Sequence, residues 1–351
     1  MPVFKAILAL LVVGAAASSA VVAQEYTAIP ISCPQPICGV TGLNNQGHVT
    51  FWAGGSMAYW GYLWNGQTST QLPSLYSGDY TYPRGLNDSD KIVGSSDTST
   101  GRRPVTWSAG NGSLVPLGSI ASSDAYVGAI NNAGTIAGIT SPSGGRHLFT
   151  MSAEGQLSDQ GHTPSYYLAI KEMNASGQIV LYDPGPLTDG YLWSNAQWTR
   201  LFDLAGSNYS VPSAINDNGL IVGMSWPNQQ NQKAVCWRDG QISALPVPAD
   251  TISSRAYDVN NLGQIVGNCT TASRSGACLW DPDGTFHFLA DCVPGGSSLQ
   301  LNTARLINDA GQIVTASSSG GGPVYLLTPE PATLSLLALG GLAVLRRRGR
   351  K

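Results

Sequence analysis

Charge is scarce in this chain: Asp, Glu, Lys and Arg make up 11% of its 351 residues, and there are four His. No Cys-x-x-Cys and no paired His occurs, so the usual ligand spacings for a metal are missing, and no cofactor motif is present. Gly-x-Ser-x-Gly is absent too, which excludes the hydrolase elbow that such a motif builds. What replaces charge is 42 Gly and 21 Pro, with abundant Ser, Thr and Asn. These residues favour turns and caps over helix interiors, which argues against a helical protein. Disorder is argued against by the 42% apolar content and nine Trp, enough to fill a core.

Acidic residues are missing from both ends, before Gln24 and after Pro331, where six of the 18 basic residues lie. The stretch between therefore carries 12 basic and 21 acidic residues, a net of −9 against −3 for the whole chain. Nonspecific nucleic-acid binding needs a basic footprint, and a body of this charge lacks one.

The ends themselves are informative. In residues 1–23, Lys5 supplies a positive start, and Ala6 to Ala17 is an apolar run of 12 residues. Small residues precede a cleavage point between Ala23 and Gln24, so the segment reads as a signal peptide for the export translocon and signal peptidase. At the other end, Thr328-Pro329-Glu330-Pro331 leads into 14 uncharged, mostly apolar residues, 332–345. Arg346-Arg347-Arg348-Gly349-Arg350-Lys351 follows. As a helix the apolar run would be about 21 Å long, against about 30 Å of hydrocarbon, which suits transient inner-membrane anchoring as a transmembrane helix with the basic cluster inside. The order Pro329-Glu330-Pro331, apolar run, basic cluster resembles the PEP-CTERM sorting signal of Gram-negative bacteria. The resemblance implies export to the cell surface or beyond and cleavage of the 329–351 tail by an exosortase-type transpeptidase, in bacteria that often make extracellular polysaccharide.

Residues 24–328 are a repeat array. An apolar-Asn-x-x-Gly-x-apolar-apolar-Gly phrase recurs seven times, on Asn44, Asn87, Asn131, Asn174, Asn216, Asn260 and Asn308. The second copy departs, with Asp90 in the first Gly place. An aromatic follows each Asn by 17 to 21 residues: Trp64, Trp107, Phe149, Trp193, Trp237, Trp280 and Tyr325. Their phase assigns them to the layers between repeats. Each copy reads as four short strands, with Asn-Asn-Ala-Gly and Asp-Gly turns. Four strands every 40 to 45 residues is propeller-blade spacing. The last copy lacks a fourth strand, and Tyr26-Thr27-Ala28-Ile29-Pro30-Ile31 resembles one. The expected fold is all-β: a seven-bladed propeller whose N-terminal strand closes the last blade. The phrase also resembles the HAF extracellular repeats, most closely at His147-Leu148-Phe149, and that resemblance implies an exported β-rich protein without implying an activity.

Six Cys in an exported chain suggest disulfides. Setting Gly267 opposite Trp280 would pair Cys269 with Cys278, and Cys33 and Cys38 could close a short loop. Cys236 and Cys292 have no evident partner. His48, His147, His162 and His287 are scattered, and Asp281-Pro282-Asp283-Gly284 is a hairpin turn lacking the downstream Glu of a calcium loop. No catalytic constellation emerges. The sequence reads as a noncatalytic surface or extracellular-matrix protein, a biofilm-matrix component binding polysaccharide or another surface component. The other class is a secreted propeller enzyme on glycans, a lyase or hydrolase with carboxylates at the channel mouth.

Overall fold

The computed structural model describes residues 24–331 except 56–58, 100, 110–111, 119–124, 142–144, 186–187, 228–230 and 318–319. Residues 1–23 and 332–351, with the proposed signal peptide and apolar tail, lie outside the described residues. Within them no helix is long and apolar enough to cross a membrane. The described chain forms seven four-stranded antiparallel sheets, six of them simple meanders from an inner strand a to an outer strand d. Blade 1 is Ile37–Leu43, Val49–Gly54, Tyr59–Trp64 and Ser69–Gln71. Blades 2 to 6 follow from the next five repeats. The a strands pack side by side around a central channel, and that of blade 7 lies against that of blade 1.

Closure is as expected. Blade 7 has Thr303–Ile307, Ile313–Ala316 and Val324–Pro329, and its outer strand is Tyr26–Ile31. The register runs from Tyr26 opposite Pro329 to Ile31 opposite Val324. Pro329, the first residue of the sorting motif, is thus part of the last strand. Its neighbour Glu330 is also held: its N–H donates to the Glu25 carbonyl at 2.8 Å, and Gln24 Nε2 donates to its carbonyl at 2.9 Å. The Thr27 hydroxyl donates to its carboxylate. The 48-residue spacing before Asn308 comes from two 3-10 turns, Leu289–Asp291 and Gly296–Ser298. Tyr26 N–H donates to the Cys292 carbonyl there, at 2.8 Å, and the Tyr26 side chain is buried against that insertion.

The recurring Asn residues explain why the repeats stack. In each a–b turn, the Asn backbone N–H donates to the residue four ahead and its carbonyl accepts from the residue three ahead, as in Asn216 with Leu220 and Gly219. Its Oδ1 accepts from inside the same turn, at 3.1 Å from Asn218 N and 2.9 Å from Leu220 N. The turn needs a left-handed residue, Gly134 at φ 81° in blade 3 and Asp90 at φ 57° in blade 2, the one copy that does without Gly. That leaves Nδ2, and it donates to the backbone carbonyl of the next blade's Asn. Asn44 reaches Asn87, Asn87 reaches Asn131, and Asn131 reaches Asn174, each at 3.2 Å. The series continues to Asn216, Asn260 and Asn308 and returns from Asn308 to Asn44 at 2.8 Å. All seven side chains are buried, none more than 6% exposed.

A bulge in every a strand is the second repeated device. Register slips by one residue at Thr41, Arg84, Gly128, Lys171, Ser213, Tyr257 and Arg305, each three before its Asn. The final Gly of the repeat phrase sits where the bulged strand crowds strand b: a Cβ on Gly267 would lie 1.9 Å from the Arg255 carbonyl oxygen. Two bulges are braced by carboxylates from a neighbouring blade. Glu172 accepts from Ile215 N and Asp258 from Ile307 N, both at 2.8 Å. Burial raises both carboxyls, that of Asp258 to about 7.

The core aromatics occupy the layers between blades, with one correction to their phase. Trp64, Trp107, Trp193, Trp237 and Trp280 are structurally equivalent, each opposite the first residue of strand b or the one after it in the same hairpin position. In blades 3 and 7 the equivalent residues are Met151, opposite Ile136, and Leu327, opposite Ile313. Phe149 and Tyr325 sit two residues earlier on the same face; Phe149 fills the space over Gly138, and Tyr325 is half-buried. Three indoles also tie neighbouring blades: Trp107, Trp237 and Trp280 donate to the carbonyls of Pro73, Phe202 and Pro246 at 2.8, 3.0 and 2.6 Å.

The cysteine pairing is likewise corrected. Cys33 and Cys38 are joined in a disulfide. Cys269 and Cys278 are not: both are buried free thiols. The hairpin turns tightly at Thr271 to Arg274, with Thr271 N donating to the Arg274 carbonyl at 2.8 Å. That sets Cys269 opposite Gly276 and Cys278 opposite Gly267, two residues out of register for a facing pair. Cys236 and Cys292 are free and belong to different blades and layers.

Three outcomes follow from these contacts. Asn216→Ala removes a donor and an acceptor from buried partners, so its unfolding free energy should fall by about 2–4 kcal/mol. Urea denaturation should show this, and a loss under 0.5 kcal/mol would mean the ring is not a stabilising element. Removing residues 24–31 exposes the edge of Val324–Pro329, and the truncated body should aggregate and melt lower than the intact one. Unchanged melting and elution would contradict closure by that strand. Asp258 keeps its proton up to about pH 7 when folded but only to about pH 4 when unfolded. Between these values the folded state binds more protons, so stability falls as pH rises. Compared with Asp258→Asn, the native protein should lose melting temperature between pH 4 and 7; parallel curves would show an unshifted carboxyl.

Candidate functional site: the central channel

The bulged residues line the central channel. A bulge swings one extra side chain out of the ladder, and seven bulges at one height make a ring. Thr41, Arg84, Gly128, Lys171, Ser213 and Tyr257 line a channel cavity of about 240 Å³. Arg305, the seventh, stacks on the Tyr257 ring at 4.5 Å. Three of the seven are cations, in a body with only 12.

Lys171 feels the other two cations. Confinement by surrounding protein and the charges of Arg305 and Arg84 lower Lys171 to about 8, although channel solvent reaches it. Desolvation and the neighbouring Arg102 lower Arg84. Neither Arg84, Lys171 nor Arg305 forms an ion pair with a carboxylate among the described residues. Tyrosines hold two of them instead: Lys171 Nζ lies 4.3 Å from the Tyr182 ring centre, and Arg305 lies 4.5 Å from that of Tyr257. The Tyr126 hydroxyl donates to the Leu168 carbonyl at 2.8 Å, and burial makes it a weaker acid, its pKa pushed up to about 12.

The a strands begin, and the b–c hairpins turn, on one face of the ring. That face extends the cationic and aromatic character outward. Arg255 Nη1 donates to the Tyr257 hydroxyl at 3.3 Å, and Arg146 lies over the exposed Tyr166 ring. Trp52, Tyr59 and Tyr82 make a chain of ring contacts at 4.9 and 6.2 Å. Trp52 reaches inward because strand a carries Gly39 beneath it; a Cβ there would meet the indole at 2.3 Å.

The opposite mouth has the other sign. The residues after the seven Asn are Asn45, Asp88, Asn132, Ala175, Asp217, Asn261 and Asp309. Six of the seven backbone N–H groups donate to the next member's side chain, at 2.7 to 2.9 Å. Only Asn132 lacks this bond, because Ala175 offers no acceptor. The channel thus runs from a cationic, aromatic face to a rim of carboxylates and amides.

The sequence-derived positions sort cleanly against this site. The seven Asn frame the channel without touching its cations, and the aromatics stay in the blade layers apart from the half-buried Tyr325. His48, His147 and His287 pair with Asp90, Asp159 and Asp281 within their own blades or the next. The described residues hold no group of three metal-ligating side chains. Sequence reasoning missed Arg84, Lys171 and Arg305. Their signal was present: the column three before each Asn reads Thr, Arg, Gly, Lys, Ser, Tyr, Arg.

Comparison with known proteins adds the sorting signal and the fold. The PEP-CTERM protein-sorting motif matches residues 327–351. No curated protein matches the chain. Among solved structures, an oligogalacturonate lyase in complex with manganese is similar over 88% of this chain and 97% of its own, at TM-score 0.56 and 14% identity. Streptogramin B lyase is similar over 87% and 98%, at TM-score 0.54 and 13% identity. The β-propeller domain of the Trilobed protease from Pyrococcus furiosus is similar over 84% and 95%, at TM-score 0.53 and 9% identity. TolB from Acinetobacter baumannii, of which this chain spans 62%, is too distant to argue from, at TM-score 0.46. At these identities the likeness is one of fold. The chain is a seven-bladed propeller carrying a PEP-CTERM sorting signal for export to the cell surface.

Proposed function

We propose that this protein is a noncatalytic component of the cell surface or extracellular matrix that binds polysaccharide through the cationic, aromatic face of its channel. The sorting motif supports the location. Exported by its 1–23 signal and trimmed near Pro331 by an exosortase-type transpeptidase, the body would be delivered where extracellular polysaccharide is met. In the same reading the repeats are HAF-type and the 332–345 run anchors the chain only until cleavage. The observation that carries the binding role is the grouping of Trp52, Tyr59, Tyr82, Tyr166 and Tyr182 with Arg102, Arg146 and Lys171 around one mouth. Aromatic faces and a few convergent polar groups are what ligand sites use for orientation and affinity.

One observation favours the second reading, a glycan lyase or hydrolase. Lys171, at about 8, is partly unprotonated near neutral pH and could take a proton from a bound sugar. A screen of the 24–331 body against immobilised glycans, with mass analysis of every glycan bound, separates the two. Binding with the glycan recovered intact is expected; cleaved product would establish the enzyme, and no binding to any polysaccharide would remove the proposal.

A further inference from the structure

Resting on that reading, we infer that the bulge ring is an anion receptor, and that the polysaccharide bound is acidic, presenting an oxyanion to Arg84, Lys171 and Arg305. The argument starts from what the ring costs. Three cations from blades 2, 4 and 7 converge on the channel, Arg84 and Lys171 lining the cavity and Arg305 stacking on Tyr257 in its wall, and none forms an ion pair with a carboxylate among the described residues. Like charges held at close quarters repel, and the charges of Arg305 and Arg84 add to burial in lowering the affinity of Lys171 for its proton. A fold stabilised for its own sake would place Thr or Ser in these positions, as blades 1 and 5 do with Thr41 and Ser213. An oxyanion entering the ring removes the repulsion and gains charge-assisted hydrogen bonds, bidentate where Arg supplies them.

The carboxylates that do stand nearby are already engaged. Glu172, adjacent to Lys171, turns into the wall and accepts from Ile215 N, and Asp258 accepts from Val259 N and Ile307 N. They brace blades and leave the cations free for a ligand.

The channel also gives the ligand a direction. The cationic face attracts an anion, and the far rim of Asp88, Asp217 and Asp309 opposes its passage. An acidic group entering from the first side stops at the ring. The cavity of about 240 Å³ reaches from the bulge ring to Asp88, Asp217 and Asp309, and it lies below the range of roughly 300–1,000 Å³ usual for small-molecule sites. It therefore suits one acidic group rather than a length of chain, with the rest of the glycan lying across the tyrosines outside.

The test compares a uronic-acid hexasaccharide with its carboxyl-reduced, neutral counterpart, titrated into the 24–331 body by calorimetry. A sulfated hexasaccharide is the third arm and identifies which oxyanion is preferred. Binding of an acidic form at least tenfold tighter than of the neutral one is expected. Arg84→Gln, Lys171→Met and Arg305→Gln should each weaken acidic binding by about tenfold or more, the effect of losing one charged hydrogen bond. Their binding of the neutral form should not change. Arg238→Gln, an exposed cation at the far end of its strand, is the control and should bind like the native protein. Equal affinity for acidic and neutral forms would overturn the anion inference while leaving polysaccharide binding in place. No binding of any of the three would overturn both. Acidic binding untouched by the three substitutions would place the anion elsewhere and overturn this site. Circular dichroism of each variant, matching the native spectrum and melting, assigns any loss to the ring rather than to folding.

Discussion

The closed ring of seven Asn side chains is the constraint on which the molecule depends. Each Asn satisfies its own turn through Oδ1 and its neighbour's backbone through Nδ2, so no member is complete without the next. In an open array the first carbonyl and the last amide would be left without each other; here Asn308 meets Asn44. Buried polar groups left unpaired cost about 1–3 kcal/mol each, so the ring favours closure independently of the edge of blade 7. The same bonds hold the a strands at a common height. Because the bulge always falls three residues earlier, the ring also fixes seven bulged side chains at one level of the channel.

An odd number of blades leaves a mark on the outer ring. Its bonds are best made when Asn alternates with Asp, since amides donate to carboxylates and like carboxylates repel. Asn45, Asp88 and Asn132 alternate on one side, and Asp217, Asn261 and Asp309 on the other. Seven places cannot alternate around a circle. Ala175 stands at the one position where an Asn or Asp would have to face its own kind, and there the ring lapses. The three carboxylates that result are spaced apart and partly neutralised by N–H donors. Charge on this mouth is thus set by the arithmetic of closure, and the charge on the bulge ring is not.

What could be read from the sequence was whatever repeats or acts locally. The Asn-x-x-Gly turns, the four-strand plan and the spare strand Tyr26–Ile31 are visible because each uses a few adjacent residues, and seven copies average out the drift. Details set by the register of single hairpins were not visible. A tight turn at Thr271 to Arg274 put Cys269 two residues out of register with Cys278, and no spacing rule distinguishes a four-residue turn there from a longer one. The drift from Trp to Phe149 and Tyr325 has the same origin: the next same-face position on the strand can carry the ring when Gly138 or Thr315 makes room. The functional column was hidden for a different reason. Strict alternation places the residue three before Asn on the packed side of the sheet, and only the bulge turns it into the channel.

That separation of roles is what lets a degenerate repeat carry a specific site. Asn, the glycines and the interblade aromatics are held near constancy by bonds that every blade shares, so they cannot encode what distinguishes one blade from another. The bulged residue has no partner in the ladder register, so it can vary without cost to the ring except in blade 3, where a Cβ on Gly128 would lie 2.6 Å from Ile170. It does vary, through Thr, Arg, Gly, Lys, Ser, Tyr and Arg. Chemistry in such a scaffold therefore has to be sought where the repeats disagree at a position that the fold presents identically seven times. In this chain that position lines the channel, and its disagreement is three unpaired positive charges.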